Sequence, residues 1–225
     1  ERRSRFGVGR SYQKVNIFTG FSVLENCRLA AQSREPCPLN WLRDAMSYDK
    51  VLENARQALT AVGLGNRFSV IAATLSHGEQ RQLEIAMSLA TDPQLLLLDE
   101  PLAGMGPEES LNMVELIGKL TASHAILLVE HDIDAVFRLA QVLTVMVNGK
   151  VLASGAPEAI RANREVQRAY LGGRRITKKK TIQSLTLAAC TPSMLQAIFS
   201  MASIFRCGPV KPSGSWDGTA WARPL

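Results

Sequence analysis

Apolar positions along the chain change their period several times. Between Tyr48 and Val62, the residues Val51, Ala55, Ala58, Leu59 and Val62 recur at three- and four-residue intervals, the stripe of an amphipathic helix. Ser22 to Ala31 reads as a shorter helix. From Ser76, the run Gly78 to Ala90 with Leu83, Ile85, Ala86 and Leu89 predicts another, which stops near Asp92 and Pro93. The period then shifts. Leu95 to Leu98 is a continuous apolar run too short for a helix, as expected of a strand buried on both faces of a parallel sheet. Glu108 to Leu120 is helical again, Ala125 to Val129 a second buried strand, Asp132 to Leu139 a helix and Val142 to Val147 a third strand. Asn148 and Gly149 turn that strand into Val151 and Leu152 as a hairpin. Alternating strands and helices predict an α/β sheet with right-handed crossovers. Chemistry in such sheets gathers at the carboxyl ends of the strands. Asp99 and Glu100 close the first buried strand there, and Glu130 and His131 the second.

Composition sets the class more than the function. A chain of 225 residues, 46% of them hydrophobic, is long enough for one substantial core. The net charge of +6 invites a nucleic-acid or anionic-membrane reading until it is located. Residues 174–225 hold eight basic groups against the single acid Asp217, which leaves 18 basic and 19 acidic residues in 1–173. The main body is nearly neutral, and the expectation is no nucleic-acid partner. Cys27, Cys37, Cys190 and Cys207 show no paired C-x-x-C spacing and too low a density for a secreted disulfide scaffold, which fits a reducing cytosol. Positions 1–20 contain no apolar leader segment, and an initial Glu suggests a fragment.

Adjacent carboxylates after a buried strand have a use in nucleotide hydrolysis: one holds Mg²⁺ while the other orients or deprotonates water. The bland alternative is a strand end turning into solvent with two exposed acids. Upstream, Leu75, Ser76, His77, Gly78, Glu79 and Gln80 place a hydroxyl and a glycine at the opening of a helix, which presents backbone N–H groups to a phosphate. A plain serine helix cap is the commoner meaning of such a run.

Together these motifs resemble those of the ABC ATPases. Leu75 to Gln80 resembles the LSGGQ signature, with His77 in place of a glycine; Leu95 to Glu100 is similar to the Walker B strand with its catalytic glutamate; His131 stands where the switch histidine is expected. Gly9 to Gln13 resembles the approach to the family's glutamine loop. Ala103, Gly104, Met105, Gly106 and Pro107 resemble the D-loop of the branched-chain amino acid importer branch, and Glu165 to Gly172 resembles that branch's short ending. The resemblance implies a partial P-loop NTPase (RecA-like) core over 1–173, with a helical subdomain at about 14–92 and the remaining core at about 93–173. It implies ATP and Mg²⁺, with Glu100 and His131 catalytic and Asp99 and Gln13 serving the metal. Ser76, His77, Gly78, Glu79, Gln80, Gly104 and Gly106 then serve the nucleotide, part of it bound by an opposite subunit. It further implies a second ATPase subunit, permease subunits, an external binding protein acting indirectly, and a peripheral place on the cytoplasmic face of the membrane. Ile17, Phe18 and Phe21 are candidates for permease contact or for core packing. A non-transport ABC ATPase and a non-catalytic relic are the other readings.

The family's phosphate-binding loop, G-x-x-x-x-G-K-[ST], belongs upstream of Gln13 and does not occur in the sequence. The loop supplies the amides and the lysine that cradle the phosphates. The strand leading into it is a central one, so the expectation is exposed sheet edges, poor solubility and no hydrolysis by this chain alone. Residues 174–225 do not resemble the family. Read one base out of register, the codons for Trp216 to Pro224 permit Leu-Gly-Arg-Asn-Gly-Met-Gly-Lys-Thr, a phosphate-binding loop. The tail is therefore expected to be an out-of-frame translation of a neighbouring ATPase gene, and disordered. Its rivals are a membrane segment at Leu185 to Phe205 and a basic membrane-surface tail.

Overall fold

The structure, a computed structural model, describes residues 6–34 and 47–171 and the backbone of 182–188. It is an α/β arrangement in which helices pack against a six-stranded sheet of order β1-β2-β3-β6-β4-β5. The strands are β1 (Val8–Arg10), β2 (Leu95–Asp99), β3 (Ala125–Glu130), β4 (Val142–Val147), β5 (Lys150–Gly155) and β6 (Ile182–Ala188). The helices are α1 (Val23–Gln32), α2 (Asp49–Ala61), α3 (His77–Leu89), α4 (Pro107–Leu120), α5 (Ile133–Leu139), α6 (Pro157–Ala162) and α7 (Arg164–Leu171).

Strands β1, β2 and β3 run parallel, with Val8 opposite Leu95 and Leu95 opposite Ala125. The two apolar runs become strands because helices cover them: Leu96, Leu98, Ile126 and Leu128 are essentially inaccessible to solvent. They share one core with Val23 and Cys27 of α1, Val51, Ala55 and Leu59 of α2, and Leu83, Ile85 and Ala86 of α3. Burial there pushes the Cys27 thiol pKa up. A smaller cluster of Val136, Leu143, Val145, Ile160 and Val166 lies under the β4–β5 hairpin. Its turn uses Asn148 and Gly149, both with positive φ, as a two-residue hairpin of this twist requires.

Each predicted helix and buried strand is present, with shifts at the ends that matter for the site. Strand β2 continues through Asp99 and β3 through Glu130, so Glu100 and His131 are the first residues beyond their strands. Strand β1 appears where the sequence predicts none. Its middle residue, Gly9, owes its place to close approach, since a Cβ there would meet Leu96 at 3.0 Å and Pro93 at 3.3 Å. Helices α6 and α7 also lack a predicted counterpart; among the described residues each carries one buried apolar residue, Ile160 or Val166, too few to show a period.

The largest departure concerns the tail. Residues 182–188 form β6, which lies between β3 and β4 and runs antiparallel to both: Glu130 and Val145 both pair with Ser184, and Val129 and Thr144 with Leu185. The facing edges of β3 and β4 are thereby hydrogen-bonded. A backbone left unpaired between two buried strands is costly, which is why a segment of modest apolar content is drawn in. The rest of 174–225, including the disorder expected of it and the membrane-length stretch beyond Ala188, lies outside the described residues. Among the described residues no helix is long and apolar enough to cross a membrane.

Proline cannot donate to a ladder. Leu185→Pro is expected to lower stability by about 1–3 kcal/mol, the range for a lost buried hydrogen bond, seen as a lower urea midpoint of the full chain. An unchanged midpoint would show that β6 contributes nothing to the sheet.

Candidate functional site

The carboxyl ends of β2 and β3 bring together Gln13, Asp99, Glu100, Glu130 and His131. Glu100 leaves β2 with φ +47°, the left-handed region that non-glycine residues seldom occupy and that recurs at functional sites. Both of its backbone groups are held: its N–H donates to the Val129 carbonyl at 2.8 Å, and its carbonyl accepts from Ala103 N–H at 3.1 Å and from Arg81 Nη2 at 3.2 Å. The bend turns the Glu100 carboxylate toward Gln13, whose Nε2 donates to Oε2 at 3.0 Å. His131 Nδ1 lies 3.9 Å from Glu100 Oε1, and its side chain is 60% exposed. This trio stands at the ends of two strands whose Leu96, Leu98, Ile126 and Leu128 are buried.

Asp99, next to Glu100, has its Oδ2 at 4.0 Å from Arg10. Its N–H donates to Ser11 Oγ at 3.4 Å, and Ser11 N–H donates to the Leu97 carbonyl at 2.9 Å, so the segment after β1 is laced to β2 up to the site. No cluster of three His, Cys, Asp or Glu side chains of metal-holding geometry occurs among the described residues. The carboxylate of Asp99 and the amide oxygen of Gln13 are hard oxygen donors that fit Mg²⁺, an ion that keeps water and phosphate oxygens as its remaining ligands.

Glu130 is the buried member. It is 1% exposed, and its two oxygens accept the N–H groups of Leu102 at 2.9 Å and His131 at 3.1 Å. It thus ties the turn after β2 to the residue after β3. Burial pushes its pKa up, opposed by the N–H groups and by His131.

The signature-like residues form a second group. Ser76 caps α3: its hydroxyl accepts from Glu79 N–H at 3.2 Å while Glu79 Oε2 accepts from Ser76 N–H at 3.0 Å, a capping box. Glu79 also pairs with Arg67 at 3.1 Å, and Gln80 Nε2 donates to the Leu75 carbonyl at 3.2 Å. A Cβ on Gly78 would stand 3.0 Å from Glu109 Oε1, and one on Gly104, whose φ is +77°, would stand 3.5 Å from His77 Cε1. Gly106 caps α4, its N–H donating to Glu109 Oε2 at 3.4 Å. The start of α3 therefore packs on the 104–109 turn. Among the described residues, no hydrogen bond joins Ser76 to Gln80 with Gln13, Asp99, Glu100 or His131.

Sequence reasoning missed Arg81 and Glu84, which link the two groups. Both are buried and paired at 2.6 Å, three residues apart on α3. Their signal was a pair of charges on the same helix face as Ile85 and Ser88, which looks like an ordinary surface pair until the sheet covers it.

A mixed sheet whose parallel strands β1, β2 and β3 lead to carboxylates, an amide and an imidazole, beside a capped helix start, suits nucleotide chemistry. The comparisons with known proteins narrow that class. Residues 1–103 match the family described as ABC transporter, and residues 150–175 match the one described as branched-chain amino acid ATP-binding cassette transporter. The high-affinity branched-chain amino acid transport ATP-binding protein LivG of Escherichia coli K12 is 38% identical over 176 residues, which is 75% of this chain and 69% of that protein. BraF of Pseudomonas aeruginosa, of the same description, is 38% identical over 178 residues, with the same shares covered. Among solved structures, the ADP conformation of an ATP-binding cassette of an ABC transporter superposes with a TM-score of 0.62 at 24% identity, over 76% of this chain and 70% of that one. The structure of cbiO1 from Clostridium perfringens, part of the ABC transporter complex cbiONQ, does so with 0.60 at 25% identity, over 76% and 65%. The chain belongs to the ABC transporter family of ATP-binding subunits.

The raised pKa of Glu130 has a pH signature. A carboxyl whose folded pKa lies above its unfolded value contributes stability that is full below the unfolded pKa and is lost as pH rises through the folded one. Glutamine cannot ionise, and its single oxygen keeps only one of the two N–H bonds. Wild type should therefore exceed Glu130→Gln in urea midpoint most clearly below pH 4.5, the ordinary carboxyl value, with the gap narrowing toward neutrality. A gap that widens with pH would mean that Glu130 is ionised through the range.

Proposed function

We propose that this chain is the ATP-hydrolysing part of a membrane importer for branched-chain or related amino acids. The observation that carries the reading is the convergence of Gln13, Glu100 and His131 at the ends of β2 and β3, on a glutamate held in a left-handed bend. In this reading Glu100 is the base or water-orienting group, and Gln13 holds the water and the metal's edge of the site. Asp99 acts through Mg²⁺, which supplies charge neutralisation on the phosphates when bound. His131, exposed and beside Glu100, contacts the terminal phosphate.

The start of α3 supports a second role. An α-helix leaves the N–H groups of its first turn without intrahelical partners, and Ser76, His77 and Gly78 open that turn, with Glu79 and Gln80 following. We place their phosphate contacts across a subunit boundary, on ATP bound by a second ATPase subunit, with Gly104 and Gly106 shaping the turn between the sites. Ser76 Oγ already accepts from Glu79 N–H, and its lone pairs and proton leave room for a phosphate oxygen as well.

The partner on the other side is a permease. Phe18 and Phe21 stack with ring centroids 5.5 Å apart while remaining 53% and 44% exposed, and Ile71 is 44% exposed. Ser22 bridges to Ile71, and Ala72 N–H donates to the Phe21 carbonyl at 2.9 Å, which ties the Phe21 segment to that of Ile71. Exposed aromatics held rigidly suit an apolar helix of a membrane partner. In this reading the subunit works at the cytoplasmic membrane face, with the external binding protein acting through the permease. The helices from about 14 to 92 form the permease-facing subdomain and residues from about 93 to 173 the rest of the core.

The 225 residues contain no G-x-x-x-x-G-K-[ST] run, so the test begins with the gene. DNA sequencing from upstream of Glu1 through the codons of Trp221 shows whether such a loop precedes this chain in frame. With it present, ATP turnover by the subunit assembled with its permease is expected to fall about 10²–10⁴-fold in Glu100→Gln, the usual worth of a general base. Turnover retained by Glu100→Gln would remove Glu100 from the mechanism.

A further inference from the structure

Arg81 is among the largest fully buried side chains, on a helix face where a charge is expensive. Its cost is met by four hydrogen bonds from its two terminal nitrogens. Nη1 donates to Glu84 Oε2 at 2.6 Å and to the Tyr12 carbonyl; Nη2 donates to the Gln13 carbonyl at 2.9 Å and the Glu100 carbonyl at 3.2 Å. Nε is left buried without a partner. Glu84 completes the arrangement, because its other oxygen, Oε1, accepts the Tyr12 N–H at 3.0 Å. The backbone of residues 12–13 is thus gripped at one N–H and two carbonyls by a single buried ion pair of α3. The side chains of Tyr12 and Gln13 remain free to face outward.

Those bonds reach the two residues whose side chains meet in the site. The Gln13 amide can bond Glu100 only while the segment carrying it stays beside the bend after β2, and Arg81 is the group that holds both backbones at once. The left-handed φ of Glu100 is costly, and its carbonyl is one of the four acceptors. A planar guanidinium fork serves four acceptors from one rigid plane, which an ammonium cannot do.

We propose that Arg81, neutralised by Glu84, is a positioning residue for hydrolysis. It sets the Gln13–Glu100 geometry by holding the carbonyls of Tyr12, Gln13 and Glu100 from α3, so that a displacement of α3 is passed directly to both side chains. The helix whose first turn is assigned to a neighbouring subunit's phosphate therefore also governs this subunit's water-orienting groups. The inference rests on the catalytic reading of Gln13 and Glu100.

Amide hydrogen exchange on the full 225-residue chain tests the clamp without requiring turnover. Arg81→Met is expected to speed exchange at residues 11–14 and 100–103 by about ten-fold or more, the effect of losing hydrogen bonds to a charged group, while α2 keeps its wild-type rates. Arg81→Lys should recover part of that protection. Glu84→Gln, which keeps an acceptor for Tyr12 N–H, should loosen residues 11–14 less than Arg81→Met does and supplies the comparison if Arg81→Met does not fold. Wild-type exchange in both segments, or a rise spread evenly over the molecule, overturns the clamp.

In the assembled transporter, Arg81→Lys should lower kcat at least about ten-fold with the KM for ATP within about two-fold, the mark of lost transition-state positioning. A raised KM with unchanged kcat overturns the positioning role. Turnover retained by Glu100→Gln defeats the catalytic reading instead, and leaves the exchange result standing.

Discussion

The site depends on one backbone conformation that the chain does not adopt by preference. Glu100 sits at φ +47°, and it stays there because its neighbours leave it no better place for its N–H and carbonyl groups. The N–H is taken by β3 and the carbonyl by Arg81 of α3 and by the turn at Ala103. Strain of this kind costs on the order of 1–3 kcal/mol and persists only where surrounding structure over-determines it. Here the surroundings are a buried parallel pair of strands and a buried ion pair, neither of which can shift without leaving polar groups unsatisfied.

From that bend the remaining geometry follows. The turn after β2 passes back over Glu130, which accepts Leu102 N–H with one oxygen and His131 N–H with the other. A carboxyl in that position orients two loops with one rigid group, and it is buried because both loops close over it. His131 is left outside, beside Glu100, where it remains accessible to a ligand. The division is physically sensible: Arg81, Glu84 and Glu130, which hold the loops in position, are buried and hydrogen-bonded, whereas Gln13 and His131, proposed to meet substrate, are exposed.

Much of this could be read in the sequence because the informative residues sat in elements of clear period. The apolar runs ending at Asp99 and Glu130 announced buried strands, so the placement of Asp99, Glu100 and His131 at strand ends was legible. Ser76 and Glu79 were legible as a helix start. The rest was hidden for identifiable reasons. Strand β1 is three residues long and centred on a glycine, so it has no alternation to detect. Arg81 and Glu84 resemble any surface pair spaced three apart, and only the sheet packed over them makes them exceptional. Strand β6 mixes Gln, Ser and Thr with Leu and Ile, and its place in the sheet is set by vacant partners on both sides more than by its own propensity.

The position of β6 also imposes an order of events on folding. The strand lies inside the sheet although it follows the other five described strands in the chain, so β1, β2 and β3 on one side and β4 and β5 on the other are joined through the last of these six to leave the ribosome. Its pairing with β3 closes a long loop, a step that is paid for in chain entropy before any ladder bond is gained. Until then the nascent polypeptide carries two half-sheets, each with an open inner border. The interval between synthesis of Val147 and of Ala188 is when this molecule is most open to pairing with a stranger.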